Sequence, residues 1–206
     1  MPELLFDFTW YKDAKGYELV PAKTLRLRPG QSILDVPISA MEPARIVGKG
    51  GPLQSYRPLD KFPNLFRYFT SMPRSESGVL EFVEKFGLLT YKGLRGKGDV
   101  VPAIIDQAES MSEVLIGRVV AIPLNKLNAS IVTERDEMRL KISPACLLDA
   151  VWLQLAQAKG HGAGSFRQCQ QCAGLFTVGA GSDRRADAKF CSDKCRIEFN
   201  SFKRSR

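Results

Sequence analysis

A chain of 206 residues is long enough for one substantial core plus a small appendage, and 44% hydrophobic with 25% charged residues is ordinary for a soluble globular protein. No stretch approaches the ~20 consecutive apolar residues of a helical bilayer span, which excludes an integral membrane protein. The net charge of +8 is concentrated, because residues 165–206 hold nine Lys and Arg against four acids and so carry five of the eight charges. A basic tip on a nearly balanced body is the electrostatic footprint of a polyanion partner, most often nucleic acid.

Residues 1–50 read as strands and turns. Leu4–Trp10 and Tyr17–Val20 flank Lys12–Gly16, which predicts a hairpin, and Leu25, Leu27, Ile33, Leu34 and Val36 continue the strand pattern across Pro29-Gly30. Loop chemistry follows from Gly48 to Pro63. Helices then take over. Val79, Phe82, Val83 and Phe86 recur at helical spacing behind Ser77, and Val101, Ile104, Ile105, Ala108 and Leu115 form a longer apolar stripe.

Met138, Leu140 and Ile142 alternate with Arg139 and Lys141, predicting a strand paired with Ala129–Thr133 across Glu134–Glu137. Ser143-Pro144 is a helix-start signature, and the helix it predicts runs through Leu147, Leu148, Val151, Trp152 and Leu155 to Lys159-Gly160. Cys146 falls in that apolar segment and reads as a small buried hydrophobe. Two basic glycine-rich loops, Gly48–Gly51 and Gly93–Gly98, lack the Lys-Ser/Thr of a P-loop after a strand and read as surface turns.

Cys169 and Cys172 form a C-x-x-C pair, and after 18 residues Cys191 and Cys195 form C-x-x-x-C. Thiolates bind Zn²⁺ best as a tetrahedral set, and two short-spaced pairs joined by a loop assemble four sulfurs with little backbone strain. The first pair fits a knuckle turn, and the second puts both sulfurs on one face of a first helical turn. Met1–Trp10 lacks the basic start and long apolar run of a secretory leader, which predicts a reducing, cytoplasmic setting where such thiols favour metal over disulfides.

The segments Phe166–Phe176 and Arg184–Arg196 resemble the bacterial CGNR-type zinc fingers and their relatives. In those proteins a cysteine knuckle followed by an aromatic leads through an arginine-rich loop and an aromatic-Cys-Ser step into a terminal basic helix. The eponymous C-G-N-R is Cys195-Arg196-Ile197-Glu198 here, and the knuckle is tighter. The resemblance implies a transcription regulator. Independently of it, Cys191, Cys195, Phe199 and Phe202 share a helical stripe, with Phe176 and Phe190 placed to pack against it, while Arg196, Asn200, Lys203 and Arg204 point away.

The expected architecture is α+β: a body over 1–159, β-rich over 1–50 and helical with a β-hairpin over 63–159, a glycine-rich linker over 160–165, and a treble-clef or zinc-ribbon-like finger over 166–206. Four thiolates close the zinc shell, so one structural Zn²⁺ and no catalysis are expected. The one histidine, His161, stands in the linker outside the cysteine pattern. Neither a finger histidine base nor the H-x-E with P-C-x-x-C of a zinc deaminase is present. Duplex DNA is the expected partner, met by Arg184, Arg185, Arg196, Lys203 and Arg204. A finger this small spans few base pairs, so stable specific binding calls for a homodimer or a second contact from the body. A protein or RNA adaptor is the alternative use of the same finger.

Overall fold

The computed structural model describes residues 5–6, 8–23, 42–118, 127–134, 137–160, 165–172, 174–179 and 182–204. Its architecture is mixed α+β, with small sheets packed around helices and the four cysteines at the C-terminal end. Strand β1 (Leu5–Phe6) runs parallel to β8 (Glu137–Pro144), which pairs antiparallel with β7 (Leu127–Glu134). The β7–β8 register sets Ala129 against Ile142 and Thr133 against Met138, as the alternation predicts.

The hairpin predicted between Leu4–Trp10 and Tyr17–Val20 does not form. Instead β2 (Trp10–Asp13) pairs antiparallel with β5 (Leu53–Tyr56), and β3 (Tyr17–Val20) pairs with β4 (Arg45–Gly48) and through it with β6 (Asp99–Val100). Asp13 faces Leu53 and Tyr17 faces Gly48, so three residues on one strand oppose four on the other and the ribbon bends there. The cause is local. The Asp13 carboxylate accepts the N–H of Lys15 at 2.8 Å and that of Gly51 at 2.9 Å, making residues 14–16 a corner facing 49–52 rather than a chain reversal. Leu25, Leu27, Ile33, Leu34 and Val36 lie outside the described residues.

Two elements lie in the segment read as loop, β5 and the short α1 (Pro58–Lys61). Three of the four β5 residues are exposed, so no apolar alternation marks the strand. Main-chain pairing to β2 makes it, and the Tyr56 hydroxyl ties its end to the Phe86 carbonyl at 2.5 Å.

Helices α2 (Leu65–Ser71), α3 (Glu76–Phe86), α4 (Val101–Leu115) and α5 (Leu147–Gly160) supply most of the core. The α3 cap is Ser75 rather than Ser77: its Oγ accepts from Gly78 N at 3.1 Å, satisfying an orphan donor of the first turn. Val79, Phe82, Val83 and Phe86 are all buried, each contributing about 1.5–3 kcal/mol of apolar transfer. In α4 the predicted stripe is buried at Val101, Ile104, Ala108 and Leu115, with Ile105 half-buried against it.

The α5 helix starts at Leu147, later than Ser143-Pro144 suggests. Pro144 is still paired with Leu127 at the end of β8, and the first helical acceptor is the Cys146 carbonyl, bonded by Ala150 N at 3.1 Å. Gln154 clamps α5 to α2: its Oε1 accepts from Phe66 N at 3.1 Å and its Nε2 donates to Phe62 O at 2.9 Å. No helix among the described residues is long and apolar enough to cross a membrane.

Candidate metal centre

The finger begins with a hairpin, β9 (Ser165–Gln168) paired antiparallel with β10 (Leu175–Val178), with Gln168 opposite Leu175. This pairing places Cys169 at the end of a strand and Cys172 in the turn beyond it. Cys169 N donates to Gly174 O at 2.9 Å, closing the knuckle, and Gln170 N donates to Lys189 O at 3.1 Å, stitching it to the chain that enters Cys191. Helix α6 (Asp193–Arg204) follows. Ser192 caps it, accepting Cys195 N on its hydroxyl and Arg196 N on its carbonyl, both at 3.2 Å. The four-residue spacing therefore sets Cys195 in the first turn, directly beside Cys191.

The four Sγ atoms lie within 4.8 Å of one another, with Cys172–Cys191 at 3.6 Å and Cys191–Cys195 at 3.5 Å. Zn–S bonds of about 2.3 Å in a tetrahedron demand S···S edges of about 3.8 Å, close to the two short separations, so the four sulfurs are suited to one zinc ion. Among the described residues, no histidine or carboxylate joins the cluster. Cys146 stands apart, buried, with burial pushing its thiol up to about 12.

Without a cation the sulfurs cannot all ionise together. Against the cost of burial, donors on the main chain of Cys172, Cys191 and Gln171 hold Cys169 down at about 6. Burial and the shared sulfurs of Cys195, Cys172 and Cys169 push Cys191 up to about 12. A divalent ion held by the four sulfurs would supply the missing positive charge and cross-link the knuckle to α6.

The cluster is unevenly covered. Cys169 and Cys195 are buried, Cys191 is intermediate and Cys172 is exposed, facing a cleft of about 550 Å³ between the knuckle and the ends of α2 and α4, where Arg74 and Glu109 lie. Phe190 and Phe199 pack with ring centroids 5.2 Å apart, as the stripe on α6 requires. The side chain of Phe202 and the linker residue His161 lie outside the described residues.

Of the residues expected to meet phosphates, Arg185 is exposed, while Arg184 and Arg196 approach one carboxylate oxygen of Asp193 at 3.9 and 3.4 Å. Exposed pairs of this kind contribute at most about 1 kcal/mol, so a phosphate competes for both arginines at little cost. The side chains of Lys203 and Arg204, on the last turn of α6, lie outside the described residues.

Sequence reading did not anticipate how the finger meets the body. Phe166, the first aromatic of the finger segment, is 7% exposed and part of the main core. Its ring meets Phe66 edge-on at 6.0 Å, and the Arg67 guanidinium lies 5.4 Å from its centroid. Nor does the sequence reveal that each glycine-rich loop wraps an internal carboxylate. Gly51 donates to Asp13, and Gly93 packs so closely on Asp99 that a Cβ at either glycine would collide with the acid.

Comparison with known protein families, with curated proteins and with solved structures finds no match.

Proposed function

We propose that the chain is a non-catalytic regulator that binds duplex DNA through a finger folded around one structural Zn²⁺. The observation carrying this reading is the closure of four sulfurs within 4.8 Å, with no histidine or carboxylate in the set. Such a shell leaves no coordination position for water or substrate, which suits a scaffold and not a catalyst. The surplus charge of residues 165–206 and the exposure of Arg185 and Arg196 support a polyanion as the partner. The likeness of the finger segment to CGNR-type zinc fingers supports the same reading.

The test joins metal analysis to DNA binding by the intact, zinc-loaded chain across a salt series. About one zinc per chain is expected, and less than about 0.1 equivalent removes the premise. Replacing Arg184, Arg185, Arg196, Lys203 and Arg204 by Gln weakens duplex binding almost uniformly across sequences. Every phosphate left unneutralised lowers the log K against log salt slope by about 0.9, whereas removal of a base-reading arginine would cost ~1–3 kcal/mol at a single base position.

One observation favours an adaptor as the second reading. Ile197 is 64% exposed on α6 between Arg196 and Glu198, an apolar side chain suited to a protein surface. If the charge variants bind duplex DNA as the intact chain does, the DNA reading fails and the adaptor reading replaces it.

A further inference from the structure

The turn Gly93–Lys97, one of the two basic glycine loops, is not used by the finger and is built unusually firmly for a surface loop. Gly93 N donates to Thr90 Oγ1 at 2.9 Å and Leu94 N to Thr90 O at 3.1 Å. Thr90 itself is held from inside, its Oγ1 donating to the Asp99 carboxylate at 2.6 Å and its N–H at 3.1 Å, while Leu89 N donates to the other oxygen. Leu94 packs against the core. The acid and the hydrophobe of the segment are thus turned inward, and what remains outside is cationic.

Lys92, Arg95 and Lys97 are exposed. Arg95 stacks on Tyr91, its guanidinium 4.7 Å from a ring that is 48% exposed. Arg45 joins them from β4, its Nη1 donating to Lys97 O at 3.2 Å. Among the described residues none of these cations makes an ion pair. Glu42 lies within electrostatic reach of Arg45 and is held by Lys23 at 2.6 Å.

Like charges held on one turn repel one another, and among the described residues no acid forms an ion pair with them. A polyanion would. Its phosphates would meet cations already positioned by an anchored backbone, so binding would cost little ordering entropy.

We propose that the turn from Tyr91 to Lys97, with Arg45 beside it, is a second binding surface for the phosphate backbone of duplex DNA, carried by the body and distinct from the finger. The inference rests on the nucleic-acid reading of the finger and supplies the additional contact that so small a finger requires. The stacked Tyr91–Arg95 pair places a flat cation where a sugar-phosphate strand would pass, while the two lysines extend the positive track along the turn.

The test uses the full, zinc-loaded chain and a labelled 30-base-pair duplex titrated at several salt concentrations. Three variants are compared with the parent: K92Q/R95Q/K97Q in the turn, R184Q/R185Q/R196Q in the finger, and K15Q/K61Q as a charge control on exposed lysines elsewhere. The turn substitutions touch no internal hydrogen bond, since Arg45 contacts the main chain of Lys97, and an unchanged thermal midpoint verifies that the variant is folded. The expected result is a salt slope lower by up to about 2.7 for the turn variant, with the control close to the parent.

If the turn variant binds as the parent does while the finger variant is weakened, the turn inference fails and the finger reading stands. If the finger variant binds normally and the turn variant is weakened, the finger reading fails while the turn remains a DNA surface. If the control loses as much slope as the turn variant, or if polyglutamate competes as well as unlabelled duplex, the effect is one of net charge or an acidic protein partner, and the proposal is overturned.

Discussion

Cys146 and Cys172 mark the extremes of thiol chemistry in this chain. Cys146 is 5% exposed, and burial pushes it up to about 12, so at neutral pH it is a neutral thiol with no access to reagents. Cys172 is exposed at the rim of the cluster, within 3.6 Å of Cys191. Exposure favours Cys172 although its thiol is raised from the ordinary value, so iodoacetamide at about pH 9 is expected to modify the metal-free chain there and to leave Cys146 untouched until the body unfolds. Zinc protects Cys172, and peptide mass mapping with and without chelator reads the difference. Modification of Cys146 in the native state would show that the α5 region opens far more readily than its packing implies.

Gln154 shows how much one clamp holds between elements. It satisfies Phe66 N at the start of α2 and Phe62 O just before it, while 9% exposed on α5. Gln154→Leu leaves the Phe66 main-chain donor unpaired, while Phe62 O keeps Leu65 N at 3.2 Å, and is expected to cost about 1–3 kcal/mol in urea unfolding. Gln154→Glu keeps the acceptor but presents a carboxylate to the Phe62 carbonyl, and is expected to be at least as damaging near neutral pH and milder once protonated. Elements of this body were legible in the sequence where a period coincides with burial, as in α3 and α4, and where alternation marks facing strands, as in the β7–β8 register. They were illegible where main-chain pairing alone decides. Leu53–Tyr56 carries no alternation and becomes a strand because β2 needs a partner, while Ser143-Pro144 signals a helix start that β7 overrides by extending the strand pairing to Pro144. The cysteine cluster was legible because chelation depends on short local spacing. The docking of Phe166 was not, since nothing in its neighbourhood specifies Phe66 and Arg67 as its surroundings.

Across the whole molecule, the position of Phe166 ties metal binding to the stability of the body. The glycine-rich segment 160–165 suggests an independent finger, whose loss through any cysteine-to-serine change would leave the body folded. Yet Phe166 and Val178 of the finger hairpin are both buried, and Phe166 belongs to the main core. Phe166→Ala is expected to cost about 3–5 kcal/mol and to lower the melting midpoint by about 10 °C. Zinc removal or Cys169→Ser is expected to lower the midpoint of the main helical transition as well, followed by far-UV circular dichroism. An unmoved midpoint on chelation would show that the hairpin keeps its dock without metal. The parallel pairing of Leu5 with Lys141 and Phe6 with Ile142 has a consequence in time. A ribosome adding about 5–20 residues per second releases the first strand on the order of ten seconds before its neighbour exists. Throughout that interval Leu5 and Phe6 lack the strand they pair with, so nascent chains of this protein are candidates for chaperone capture until β8 emerges.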